Sequence, residues 1–298
     1  MKENKSPINK NQSRYRYFKR PSSQDAPRGS IFSKPREHQI TGEIRLGRID
    51  DSRMVFGIWK KELVQHLLLV GRSGAGKTNV IRLIQIELNR LGIPFMSFDL
   101  AKYGTRYLKH YMDDLIILRW DKEFFFNPLH HPPGVKLKEW LLVFTEISTD
   151  LFGLRTASKM FLTEFIMNKL FQNYEAGKSQ NYPTMHDLNH ELENRLAEKI
   201  PINERGYING IRSKVKTICV TLEETINVQS GIPIEKLLEY PVCIELVGVK
   251  SSEIQVWIIS LILAWIAAYR EARKMSFGSL KHVLIFDEAA KLVGKGER

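Results

Sequence analysis

The sequence predicts an α/β fold in which a mostly parallel sheet is flanked by helices. Three observations predict it. Short apolar runs of strand length recur at residues 66–70, 94–99, 115–118, 242–249 and 283–286. Between them the apolar spacing turns helical, first at Val80, Ile81, Ile84 and Leu88. Two of the runs also end in chemistry. The first leads into a glycine-rich loop, and the last ends in Asp287-Glu288, 210 residues beyond Lys77.

The glycine-rich stretch Gly71-Arg72-Ser73-Gly74-Ala75-Gly76-Lys77-Thr78 is a complete G-x-x-x-x-G-K-[ST] loop. Its glycines let the backbone curl until successive N–H groups point inward at phosphate oxygens. The helix behind it offers its N-terminus to the same anion. Residues 71–79, from Gly71 through Asn79, are therefore expected to hold ATP. Lys77 is expected to reach the β- and γ-phosphates, and Thr78 to ligate Mg²⁺ through its hydroxyl.

The run at 283–286 followed by two acids has the form of a Walker B segment. Alone it is a weak signal; coupled to a full phosphate loop it is a strong one. Asp287 is expected to support Mg²⁺, and Glu288 to activate a water as general base. Lys77 and Glu288 are thus the catalytic candidates, in a P-loop NTPase of the RecA/ASCE-like type.

Taken in order, residues 1–40 hold ten Lys/Arg against three Asp/Glu, so they carry +7 of the net +12. They are rich in Ser, Asn and Pro, which predicts a disordered basic arm. Tyr15, Tyr17 and Phe18 among Arg14, Arg16, Lys19 and Arg20 suit contact with single-stranded nucleic acid, and equally suit a solvated leader. Residues 41–65 read as a short β leader, two strands around the Asp50-Asp51-Ser52 turn. The first part of the ATPase core follows at 66–135, and Gly92 marks the stop of its helix. Asp99 closes the next strand, where it can face the ligand or cap a turn.

Residues 136–230 read as an all-helical insertion. Ile208, Ile211, Val215, Ile218 and Leu222 recur at 3-4-3-4 spacing there. Arg212, Lys214 and Lys216 leave its last helix, either toward nucleic acid or as solvated charges. The second part of the core occupies 231–298.

A content of 43% apolar and 26% charged residues is that of a globular chain. Cys219 and Cys243 both sit among apolar neighbours, which points to two buried thiols in a reducing, cytoplasmic setting. The most apolar helical run, 256–269, is shorter than the roughly 18 residues of a bilayer span, so no membrane span is expected. His186 and His190 stand at i, i+4 without a third ligand, and are read as polar helix surface.

The order of motifs resembles the HerA/FtsK superfamily of DNA-pumping ATPases, in particular HerA-like and conjugative coupling-type members. The resemblance covers about residues 42–298. It rests on His66-Leu67-Leu68-Leu69-Val70-Gly71 entering the loop, the Phe98-Asp99-Leu100-Ala101-Lys102-Tyr103-Gly104 turn and the Asn127-Pro128-Leu129 tripeptide. Tyr182-Pro183-Thr184-Met185-His186-Asp187-Leu188 and Phe286-Asp287-Glu288-Ala289-Ala290 complete it.

The resemblance implies a homo-hexameric ring around double-stranded DNA, with ATP at subunit interfaces, and leaves room for a partner nuclease. It also implies a strand carrying a sensor residue between the two motif strands, and an arginine finger. Neither is assignable before Arg298, so a longer parent chain is expected. Two further readings compete with the motor: a nucleotide-gated, non-hydrolysing assembly scaffold, and a small-molecule kinase.

Overall fold

The computed structural model describes residues 40–49, 54–120, 122–154, 156–274 and 280–289. The basic arm expected over 1–40 lies outside them except for its last residue, as does the Asp50-Asp51-Ser52 turn.

Strands β1 (Ile44–Arg48) and β2 (Val55–Ile58) pair antiparallel as a hairpin. Helix α1 (Lys77–Arg90) lies beside it and buries Ile84 and Leu88 on one face. Glu87 fastens the two: it accepts from the backbone N–H of Arg45 (3.0 Å), while Arg90 bonds both Glu87 and the carbonyl of Glu43. Those contacts hold the Glu87 carboxyl below its ordinary range, the hydrogen bond from Arg90 first among them. Gly92 ends the helix at φ 64°, a left-handed turn that glycine adopts without strain.

The main sheet has four parallel strands: β3 (Phe95–Asp99), β4 (Ile116–Arg119), β5 (Val242–Glu245) and β6 (Val283–Phe286). Their order is β4-β5-β3-β6. Side chains alternate across the sheet. On β3, Phe95 joins the core shared with α1 and the hairpin, whereas Met96 and Phe98 join the larger core on the other face. Phe98 is level with Phe286 on β6, and their rings stack at 5.3 Å.

The larger core is built on α8 (Ser252–Ala272), which buries Trp257, Ile258, Leu261, Ile262 and Trp265. Ser251 caps it by accepting from the N–H of Ile254. Its 21 residues, with a mean hydropathy of 1.6 over the most apolar window, meet the length and composition of a bilayer span, longer than the run expected from sequence. Half of that window is buried inside the protein, which is how a core helix reads.

The block after β4 contains α2 (Leu137–Leu151), α3 (Thr156–Phe165), a π-helical turn at Ile166–Phe171 and the single turn α4 (Gln172–Glu175). It continues with α5 (Met185–Ala197) and α6 (Ile202–Leu222), and the short helix α7 (Ile234–Leu237) leads back to β5. Thr184 and Asp187 form a capping box that starts α5. The apolar stripe of α6 is buried throughout, from Ile208 to Leu222. Asn127 ties the block to the sheet. Its amide donates to the carbonyls of Pro183 and Gln229, and its oxygen accepts from Leu129 N–H.

Two sequence expectations need correction. Residues 66–70 form no strand, and Leu68 and Val70 are exposed at 76% and 80%. β6 is half-buried rather than buried. β6 pairs with β3 on one side and with no strand among the described residues on the other. As an edge strand β6 is covered on one side only, and residues 66–70 pair with no strand among the described residues.

Candidate nucleotide site

The site gathers at the carboxyl ends of β3 and β6, where an open parallel sheet places its ligands. A cavity of about 470 Å³ opens there. Ser73, Gly74, Gly76, Lys77, Thr78 and Asn79 line one wall, and Asp99 through Lys102 with Asp287 and Glu288 line the other. Of the nine residues expected to hold nucleotide, six therefore border it; Gly71, Arg72 and Ala75 stand behind as the loop's frame.

Gly74 and Gly76 take φ of 77° and 88°, a region that favours glycine. Gly76 is the N-terminal cap of α1, so the first free N–H groups of that helix start at Lys77. The Lys77 ammonium donates to the carbonyls of Gly71 (2.8 Å) and Arg72 (3.0 Å). It thus lies folded on its own loop at the cavity wall.

Thr78 and Asp287 come together across the cavity floor, with Thr78 Oγ1 donating to Asp287 Oδ2 at 3.2 Å. The other oxygen, Asp287 Oδ1, accepts from the backbone N–H of Glu288 (3.0 Å). Glu288 has a φ of 63°, rare for a side chain with a Cβ and costing on the order of 1 kcal/mol. A hydroxyl beside a carboxylate is a pair of hard oxygen donors, which fits Mg²⁺.

Asp99 is buried and accepts from both the N–H (2.9 Å) and the hydroxyl (2.8 Å) of Thr105. Burial pushes its carboxyl above the ordinary range, with the Thr105 hydrogen bonds opposing. It serves the turn and borders the cavity at once. Next to it in the sheet, the Glu245 carboxylate is wholly buried and held by Arg106, whose Nε lies 2.9 Å from Oε1. Arg106 in turn lies over the Tyr103 ring at 4.1 Å. Asp99, Cys243 and Glu245 lie close enough for a metal cluster. With Thr105 and Arg106 engaging the carboxylates, and burial pushing the Cys243 thiol well up, that trio reads as a structural network.

Sequence reasoning missed Lys102 on the cavity wall and Gln255 beneath it. Gln255 Nε2 donates to the carbonyls of Leu100, Leu246 and Val249 at 2.9–3.1 Å, pinning the loops after β3 and β5. No spacing marks such a residue in an apolar helix. Of the cations on α6, Arg212 bonds Glu193 (2.8 Å) and Lys214 bonds Glu253 (3.4 Å), both pairs partly exposed to solvent.

Residues 44–266 match the family described as the central domain of the helicase HerA. The chain belongs to that family. It is 27% identical over 281 residues to the DNA import protein CedB of Sulfolobus acidocaldarius, an alignment covering 90% of this chain and 42% of CedB. The chain thus spans less than half the length of that relative. Its structure is similar to VirB4 of Thermoanaerobacter pseudethanolicus, with a TM-score of 0.59 and 13% identity, over 85% of this chain and 69% of VirB4. At that identity the likeness concerns the fold. This HerA/FtsK-type member therefore has the α/β P-loop NTPase fold, a mostly parallel sheet flanked by helices.

Proposed function

We propose that this chain is the nucleotide-hydrolysing part of a DNA-translocating motor. The observation that carries the reading is the Thr78–Asp287 hydrogen bond, which joins the phosphate loop to the acids after β6. Residues 73–79 and the N-terminus of α1 receive the triphosphate of ATP. Lys77 exchanges its two loop carbonyls for phosphate oxygens. Thr78 and Asp287 would hold Mg²⁺, which when bound neutralises charge on the phosphate oxygens. Glu288 accepts the proton of the attacking water, and its backbone N–H keeps Asp287 turned toward Thr78.

Double-stranded DNA as the track, a homo-hexameric ring and action in the cytoplasm belong to the same reading. CedB's description as a DNA import protein supports the first; two buried, unpaired thiols are consistent with the last. We also assign to the open edge of β6 a strand that lies between it and residues 66–70 and is not among the described residues. The deciding experiment adds double-stranded DNA to the intact protein and measures ATP turnover at rising salt. Stimulation that weakens steeply with salt supports the motor; turnover indifferent to DNA removes it.

A second reading, the non-hydrolysing assembly scaffold, draws on one observation. The run leading into the phosphate loop stands outside the sheet, and in this reading nucleotide brings it in. Nucleotide-dependent assembly without phosphate release favours the scaffold.

A further inference from the structure

Behind the phosphate loop, between α1 and the carboxyl ends of β3 and β6, lies a second, partly open chamber of about 10 Å³. Thr78, Arg82 and Gln85 reach it from α1, spaced i, i+4, i+7 along one face of the helix. Asp99, Thr105 and Asp287 border it from the sheet side. Gln85 is 1% exposed, and neither atom of its amide meets a hydrogen-bond partner among the described residues. The same holds for the Nε of Arg82. The Arg82 guanidinium passes close to Gly104, where a Cβ would stand 3.4 Å from its Nη2 and 4.0 Å from the Asp99 carboxylate.

A buried amide without partners costs about 1–3 kcal/mol, and an apolar side chain of the same length would avoid that cost. The chamber's volume is about that of one water probe, and a water there needs two to four polar partners. The Gln85 amide, Arg82 Nε and the oxygens of Asp99 and Asp287 are such partners. Asp287 accepts one hydrogen bond on each oxygen, from the Thr78 hydroxyl and from Glu288 N–H, and each oxygen keeps a second lone pair.

We propose that this chamber is a hydration site through which Gln85 and Arg82 orient Asp287, making Gln85 a positioning residue for the Mg²⁺–nucleotide site. The inference rests on the nucleotide reading above and deepens it. A residue eight positions into the helix from Lys77 then sets the aim of a carboxylate after β6.

The test uses the intact protein and a fluorescent ATP analogue, with its affinity measured metal-free and across a Mg²⁺ titration. Gln85→Met keeps length and removes hydrogen bonding. It should leave the melting temperature equal or higher and the metal-free affinity unchanged, while raising the Mg²⁺ concentration for half-maximal tightening about tenfold, as loss of an outer-shell partner does. Arg82→Lys, which removes Nε but keeps the charge, should shift the same midpoint the same way, and decides the matter should Gln85→Met not fold. A normal wild-type response with unshifted midpoints in the variants overturns this inference alone. A wild type that does not respond to Mg²⁺ overturns the nucleotide reading and this inference with it.

Discussion

Thr78 and Asp287 stand 209 residues apart in the chain, yet the hydroxyl of one lies 3.2 Å from the carboxylate of the other. The contact exists because α1 starts where the glycine loop ends and because β6 lies beside β3 with Phe286 level with Phe98. That register places Asp287 one step past the strand end, at the level of Asp99 and Glu245.

Lys77→Ala should weaken Mg·ATP binding by about 10- to 100-fold, the worth of one or two hydrogen bonds from a charged donor. The ammonium already lies at the cavity wall, where its partners among the described residues are loop carbonyls that tolerate its removal. Isothermal titration with a non-hydrolysable analogue reads the effect, with the melting curve expected to stay close to wild type.

Glu288→Gln should bind nucleotide normally and turn it over about 10²- to 10⁴-fold more slowly, the range of a lost general base. Its backbone N–H still anchors Asp287 Oδ1 in the variant, so binding and hydrolysis separate. Single-turnover phosphate release checks it. Undiminished turnover would take the base assignment away from Glu288.

Gln255→Ala should lower stability by about 2–3 kcal/mol, because three buried carbonyls at the ends of β3 and β5 share that one amide. Urea unfolding measures the loss. Because two of those carbonyls belong to loops beside Asp99 and Glu245, nucleotide affinity should fall as well, by less than in Lys77→Ala.

His282 gives the fold a pH dependence. Burial, with nearby Arg270, pushes its ring down to about 4 from 6.5. A histidine depressed on folding is stabilising while neutral. Its contribution is full above about pH 6.5 and fades as pH falls toward about 4, by roughly 3 kcal/mol in total. His282→Leu should flatten the fall in melting temperature across that window. A curve that drops as steeply as the wild type would place the acid sensitivity elsewhere.

The fold was legible where local pattern and tertiary packing agree. The stripe from Ile208 to Leu222 folds as one helix, and the apolar runs at 95–99 and 242–245 are buried strands. Residues 66–70 show the opposite case. Their composition calls for a buried strand, but a strand needs a neighbour, and residues 66–70 pair with none among the described residues. Of the site, the glycine loop and the paired acids were readable because phosphate chemistry fixes residue type at fixed spacing. Gln85, Gln255 and Lys102 were not, since nothing in their neighbours along the chain tells which cavity a side chain lines.

The most direct test is the magnesium dependence of nucleotide affinity in Asp287→Asn, a change that keeps the shape of the side chain and removes its charge. The account predicts that wild type binds an ATP analogue more tightly when Mg²⁺ is added, that the variant loses most of this gain, and that metal-free affinity is the same in both. Equal tightening in the two proteins would contradict a metal site built on Thr78 and Asp287.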